Sequence, residues 1–230
     1  VVTGSLKEEY VTDSPVKVNV ITSKKINSFI PSAGANITEI VQLVNGAQEV
    51  IACGVCYTSS ISINGLEGPY TSVLLDGIPM YGNLASVYGL NGIPNMIIDR
   101  LEIVKGPSST LYGSEAVAGV INIITKNPKD QPFLALDIQG TSHKESFINL
   151  ALTPNIGKSY GYFGVNWDRK SDYDDYNNDG FGDDINLSRF SIFNKWNIYR
   201  ESKKEFIISA RYYFEDRRNG VKEYLSNNNY

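Results

Sequence analysis

The chain has 230 residues and a formal net charge of −4, with 21 Lys and Arg against 25 Asp and Glu. That balance offers no electrostatic footprint for a nucleic acid, and none is expected as a partner. One histidine, His143, leaves little from which to build a histidine metal site or a His-dependent catalyst, whereas 15 Tyr, 9 Phe and 20 Gly favour strands, turns and aromatic surfaces.

Val1, Val2, Thr3 and Gly4 form a short apolar opening before the polar segment Ser5–Ser14. The start lacks the basic and apolar stretches of a secretory leader, as expected of mature or excised material. No run of about 18 apolar residues could cross a bilayer as a helix, although a barrel would show none either. In Pro15–Thr22, Val16, Val18 and Val20 alternate with Lys17 and Asn19, which predicts a half-buried strand. A helix should follow, with Asn36 and Glu39 as a capping box and Ile37, Ile40, Val41 and Val44 as a core stripe ending at Asn45–Gly46.

Cys53-Gly54-Val55-Cys56 comes next. A straight strand would set the two sulfurs on opposite faces, whereas a turn at Gly54 makes a bridge feasible. A structural disulfide is the leading use; a thiolate pair for Cu(I) or Zn(II) and a redox-active dithiol stay open. Further strands are predicted at Ser60–Asn64, Ser72–Asp76 and Ile78–Tyr81, the last two joined by a type I′ turn at Asp76–Gly77. Pro94–Arg100 has helical character. Asp99–Lys126 reads as a strand (Leu101–Lys105), a Gly106–Pro107 break, a glycine-punctuated connection and a second strand (Val120–Thr125). The glycines occupy separate turns, so no phosphate loop is expected.

The segment RLEIVKGPSSTLYGSEAVAGVINIITK resembles the end of the plug domain of TonB-dependent outer-membrane receptors, and INGLEGPYTSVLLDGIPMY resembles that domain's middle signature. The resemblance covers most of residues 1–130 and implies an α+β plug domain with no catalytic residues and no required cofactor. It further implies that Arg100, Glu102, Lys105 and Glu115 pair with the barrel wall, and that Val1–Gly4 is a remnant of the peptide that adds a strand to TonB, which acts with ExbB and ExbD. Tyr57, Tyr70, Tyr81 and Tyr88 are candidates for the substrate side of such a plug. A CxxC pair is not general among plugs; it is associated with a subset of Bacteroidetes receptors.

From Gln131 the texture changes. Phe133–Thr141, Phe147–Leu152, Tyr160–Asp168, Leu187–Asn197 and Phe206–Phe214 each alternate apolar with polar residues, the cumulative signature of a transmembrane barrel wall. Short connections at Pro154–Lys158 and Tyr199–Lys203 fit periplasmic turns, and the long acidic Arg169–Asn186 fits an extracellular loop. His143 falls at the tip of the first strand connection. Residues 131–230 thus supply about five strands of a barrel that closes with about 22, an N-terminal fragment of a plugged barrel.

Within the long loop, Asp175, Asn177, Asp179, the Phe181 carbonyl and Asp183 have the spacing of an EF-hand-type calcium loop, with Gly180 at its turn. Calcium in the 175–186 loop is therefore expected as an optional ligand, although Asn186 stands where a bidentate Glu belongs. The function implied is TonB-dependent uptake of an iron-siderophore, haem, cobalamin or other metal complex across the outer membrane, with membrane lipid around the wall. The alternatives are a periplasmic thiol or metal-binding protein using the cysteine pair, or a calcium-dependent surface-binding module.

Overall fold

The computed structural model describes residues 17–29, 37–53, 58–80, 90, 92–142, 144–170, 175–183, 185–201 and 206–222. The chain divides into two compact units. One gathers Val1–Ala52, Thr58–Asn91 and Ile97–Asn127; the other gathers Cys53–Tyr57, Gly92–Met96 and Pro128–Tyr230.

In the first unit the chain runs through β1 (Val18–Thr22), α1 (Ser23–Phe29), α2 (Ile37–Val41), β2 (Ala47–Cys53), β3 (Thr58–Ile63), β4 (Thr71–Leu75) and β5 (Ile78–Pro79). It continues through β6 (Ile98–Lys105), α3 (Ser109–Tyr112) and β7 (Gly119–Thr125). Five strands form one sheet in the order β1-β6-β7-β4-β5, and β2 pairs with β3 separately. β4 and β7 are parallel, while β1, β6 and β5 meet their neighbours antiparallel.

Alternation along β6 sets Leu101 and Ile103 against Glu102 and Val104, yet all four are buried. Both faces of the central strands are covered, which places a carboxylate, Glu102, in the interior at 1% exposure. Val18, Leu74, Val104, Tyr112, Ala116 and Val120 form one cluster of this core. The predicted stripe is buried at Ile37, Ile40, Val41 and Val44, but helix α2 ends at Val41 and Val44 lies in the turn that follows.

The predicted turn between β4 and β5 has Asp76 at φ 50° and Gly77 at φ 80°, the left-handed pair that a type I′ hairpin needs. Predicted helical character at Pro94–Arg100 is corrected: only Asn95–Ile97 make a 3₁₀ turn, and the chain is strand from Ile98. Pairing of Ile98 with Thr125 and of Arg100 with Ile124 outweighs the start signal of Pro94. α1 was not anticipated, because its SKKINSF sequence has too little apolar periodicity; Ile26 is buried and the helix packs on β1 and β6.

The second unit carries β8 (Leu134–Gly140), β9 (Glu145–Leu152), β10 (Asn155–Ile156), β11 (Ser159–Lys170), β12 (Asn186–Asn197) and β13 (Ile207–Arg218). All five predicted wall strands are present, in the order β13-β12-β11-β9-β8, with β10 added against β11. Every neighbouring pair is antiparallel. β11 and β13 run past their predicted ends, to Lys170 and Arg218. Among the described residues no helix is long and apolar enough to cross a membrane.

Gly119 is where the plug sheet leaves no room for a side chain. A Cβ there would strike the Val104 carbonyl of β6 and come within 3.1 Å of Ile63 Cδ1. Replacing Gly119 with Val is expected to destabilise this unit by roughly 1–3 kcal/mol through overpacking. Faster amide hydrogen exchange along β6 and β7 would register the loss.

Candidate functional site

The wall sheet is inverted relative to a water-soluble sheet. Leu134, Leu136 and Ile138 of β8 are exposed, as are Ile208, Tyr212 and Phe214 of β13, whereas the opposite face buries Asn149, Asn166, Asp168, Arg189 and Ser191. An apolar face turned outward and a polar face turned inward is the arrangement that hydrocarbon outside and a polar lumen inside select.

Register converts that polar face into a network. Asn149 stands opposite Asn166, Asp168 opposite Arg189, and Arg189 opposite Glu215. Asn166 Nδ2 donates to Asn149 Oδ1 and to Asp168 Oδ1, each at 2.8 Å. Arg189 donates from Nη1 to Asp168 Oδ2 at 3.3 Å and from Nε to Glu215 Oε2 at 2.8 Å. Glu215 also accepts from the Tyr213 hydroxyl and from Arg217 Nε. The Arg189 and Glu215 side chains are 7% and 6% exposed, so water does little to screen the pair. Ser191 Oγ, buried on the same face, has no hydrogen-bond partner among the described residues.

In the plug sheet the polar groups close turns and pair along a strand. Asp76 is the hinge of the β4–β5 turn: its amide donates to the Ile123 carbonyl at 2.8 Å, and its carboxylate accepts from the Thr125 amide at 2.9 Å and the Thr125 hydroxyl at 2.8 Å. Asn122 Oδ1 accepts from the Gly77 amide at 3.0 Å. The β4–β5 turn is thereby clamped to β7. Arg100 donates to Asp99 Oδ2 at 2.8 Å and from Nε to Glu102 Oε1 at 2.9 Å. Burial draws the Arg100 guanidinium down, but hydrogen bonding and attraction to Asp99 and Glu102 outweigh it and hold the group above its ordinary value. Burial pulls the nearby Lys126 ammonium below its ordinary value, an effect that attraction to Asp99 opposes.

The residues singled out from sequence fare unevenly. Arg100 and Glu102 pair with each other, and Lys105 Nζ donates to the Asn45 carbonyl, so three of the four expected wall contacts have partners inside the plug itself. Glu115 is half-buried in the turn after α3. Val1–Gly4, Cys56, Tyr57, Tyr81, Tyr88 and His143 lie outside the described residues, and Cys53 is described only as the last residue of β2. Tyr70 is exposed, and its carbonyl accepts from the amides of Val117 and Ala118.

The predicted calcium ligands form a loop closed on itself. Asp175 accepts from the amides of Asp179 at 3.1 Å and Gly180 at 3.0 Å, Asn177 from that of Asp179 at 2.9 Å, and Asp179 from that of Phe181 at 2.8 Å. Asp183 accepts from the Tyr176 amide at 2.7 Å. The side-chain oxygens chosen for calcium thus serve backbone amides, and among the described residues no three His, Cys, Asp or Glu side chains gather as a metal site. The network of Asp168, Arg189 and Glu215 was not singled out from sequence. Asp168 and Arg189 sit on the polar side of their predicted alternations and Glu215 lies one residue past the predicted end of the last, and only register reveals that they face one another.

A mixed-sheet α+β unit followed by a wall sheet with an inverted polarity defines an outer-membrane barrel protein with an N-terminal plug. Residues 11–120 match the family model for the TonB-dependent receptor plug domain, so the first part of the chain carries that domain. It is 28% identical over 153 residues to the vitamin B12 transporter BtuB of Vibrio vulnificus, covering 66% of this chain and 25% of that protein. Identity reaches 32% over 131 residues with BtuB of Vibrio cholerae, covering 57% of this chain and 21% of that protein. The fold is similar to that of the siderophore receptor PirA from Acinetobacter baumannii, with a TM-score of 0.71 at 19% identity, over 92% of this chain and 33% of PirA. It is likewise similar to the ferric-catecholate import receptor Fiu from E. coli K12, with a TM-score of 0.67 at 18% identity, over 89% of this chain and 28% of Fiu. The chain therefore spans about a quarter of the length of the curated relatives it matches.

Replacing Arg189 with Ala leaves two buried carboxylates, Asp168 and Glu215, without their shared cation, an error expected to cost about 3–5 kcal/mol. The temperature at which the folded receptor converts to its unfolded form on unheated gels should fall. Asp168→Asn, which keeps a hydrogen-bonding group opposite Arg189, should lower it less.

Proposed function

We propose that this chain is the plug and the first wall strands of an active transporter that takes up cobalamin or an iron-siderophore complex across the outer membrane. The observation that carries the reading is a TonB-dependent receptor plug domain joined directly to strands whose polar face is inward. In this reading the plug occludes the lumen, a scarce metal complex binds from outside, and TonB, with ExbB and ExbD, supplies energy through the N-terminal segment. The work is binding and gating, with no bond made or broken in the solute; the relatives bear the names of transporters and receptors. The thiol and calcium readings rest on one loop each and account for neither the plug sheet nor the wall.

The barrel reading also orients the chain. The connection between β11 and β12 holds the acidic loop, while those between β10 and β11 and between β12 and β13 are short, so the latter lie on the periplasmic side.

The test is uptake of radiolabelled cobalamin and of ferric siderophores by cells whose only candidate receptor is the one carrying this chain. Saturable uptake of one of these solutes that disappears when TonB is deleted is expected. Absence of both binding and uptake for every solute tried, by a receptor that reaches the outer membrane, would overturn the proposal.

A further inference from the structure

The short-connection end of the wall sheet assembles a group of side chains that solute transport does not use. The antiparallel registers bring the start of β8, the end of β9, β10, the start of β11, the end of β12 and the start of β13 to this one end. There the Lys158 ammonium lies 4.6 Å from the centre of the Tyr199 ring, and the Arg200 guanidinium lies 5.6 Å from the centre of the Phe206 ring. The Tyr199 amide donates to Ser159 Oγ at 3.0 Å, and the Ile198 amide donates to the Phe206 carbonyl at 2.9 Å. These two bonds join the turns into one ledge.

The ledge has the polarity of a membrane boundary. Both rings are exposed, as are Ile156 and Ile208 beside them, and they continue the outward apolar face of β13. Among the described residues neither Lys158 nor Arg200 has an ion-pair partner, and in sequence the connection after β12 carries Glu201 and Glu205 against Arg200, Lys203 and Lys204, with Lys158 added from the β10–β11 turn. A cation resting on an aromatic face keeps its remaining N–H donors free, and exposed aromatic rings settle at headgroup depth. Two such cations above an apolar surface complement a phosphate whose acyl chains lie against that surface.

We propose that Lys158 and Arg200, each on its aromatic platform, bind the headgroup phosphate of an anionic phospholipid in the inner leaflet of the outer membrane. Acyl chains then run along the outward face of β12 and β13. The assignment rests on the barrel reading above, because short connections place the ledge on the periplasmic side.

The experiment is native mass spectrometry of the whole receptor released from nanodiscs that hold phosphatidylglycerol and phosphatidylcholine in equal amounts. Wild type should retain phosphatidylglycerol in preference, and the double variant Lys158→Ala, Arg200→Ala should lose that preference by about tenfold or more. Lys158→Arg should keep it, and Tyr199→Leu with Phe206→Leu, which leaves the charges and removes the rings, should weaken it. Equal retention by wild type and the double variant, or no preference in wild type, overturns the ledge assignment while leaving the transporter reading intact. Preferential capture of lipopolysaccharide, tested in a parallel nanodisc, would overturn the leaflet. A receptor that does not enter the nanodisc as a barrel would overturn both readings together.

Discussion

Burying an arginine requires that its charge be met at short range, and Arg189 is met from both sides at once. Asp168 on β11 and Glu215 on β13 are its directly opposite neighbours in the two ladders of β12. Three strands are therefore joined by one cation as well as by their backbone hydrogen bonds. A slip of one residue in either ladder would turn the partner carboxylate to the opposite face, where exposed apolar side chains stand, and would leave the guanidinium buried without its counter-charge. The same bonds that balance charge on the polar face thus hold the apolar face in register toward the membrane.

The plug sheet solves a different problem. Its central strands are covered on both faces, so nearly every side chain of β6 and β7 must be apolar or bonded. The polar exceptions, Glu102, Asn122 and Thr125, are each tied to a neighbour that shapes the chain: Glu102 to Arg100, Asn122 to the amide of Gly77, Thr125 to Asp76. Two of these three bonds converge on the β4–β5 turn. Side-chain hydrogen bonds from Asp76 and Asn122 thereby hold the β4–β5 turn against β7.

Reading the chain alone identified the wall strands, the β4–β5 hairpin and the buried stripe of α2, because each is written as a local repeat: period two, two left-handed turn residues, or period 3.6. It failed where a tertiary partner decided the outcome. Ile97 and Ile98 follow a proline that could start a helix, and pairing with β7 makes Ile98 a strand residue instead. The separate pair of β2 and β3 leaves little local trace, since β2 carries the mixed sequence AQEVIAC. Arg100 and Glu102, expected at the wall, pair with each other along β6, a contact the sequence reading did not include. The oxygens of Asp175 and Asp179, expected to face calcium, also accept from amides of their own loop, bonds that ligand spacing alone does not reveal.

The sequence by itself determined that residues beyond Gln131 form strands with one apolar and one polar face, and that residues ahead of them carry the plug signatures. The strands follow from side-chain alternation and turn chemistry, which act over a few residues and need no long-range partner, whereas the plug signatures are read from the resemblance of two short segments to the family. Only the tertiary structure decided which face is buried, that Arg189 lies between Asp168 and Glu215, and that Lys158 and Arg200 share one ledge with Tyr199 and Phe206. Those outcomes depend on the register between strands separated by some 20 to 40 positions in the chain. Register is set by the summed pairing of whole strands, and no short window of sequence contains it.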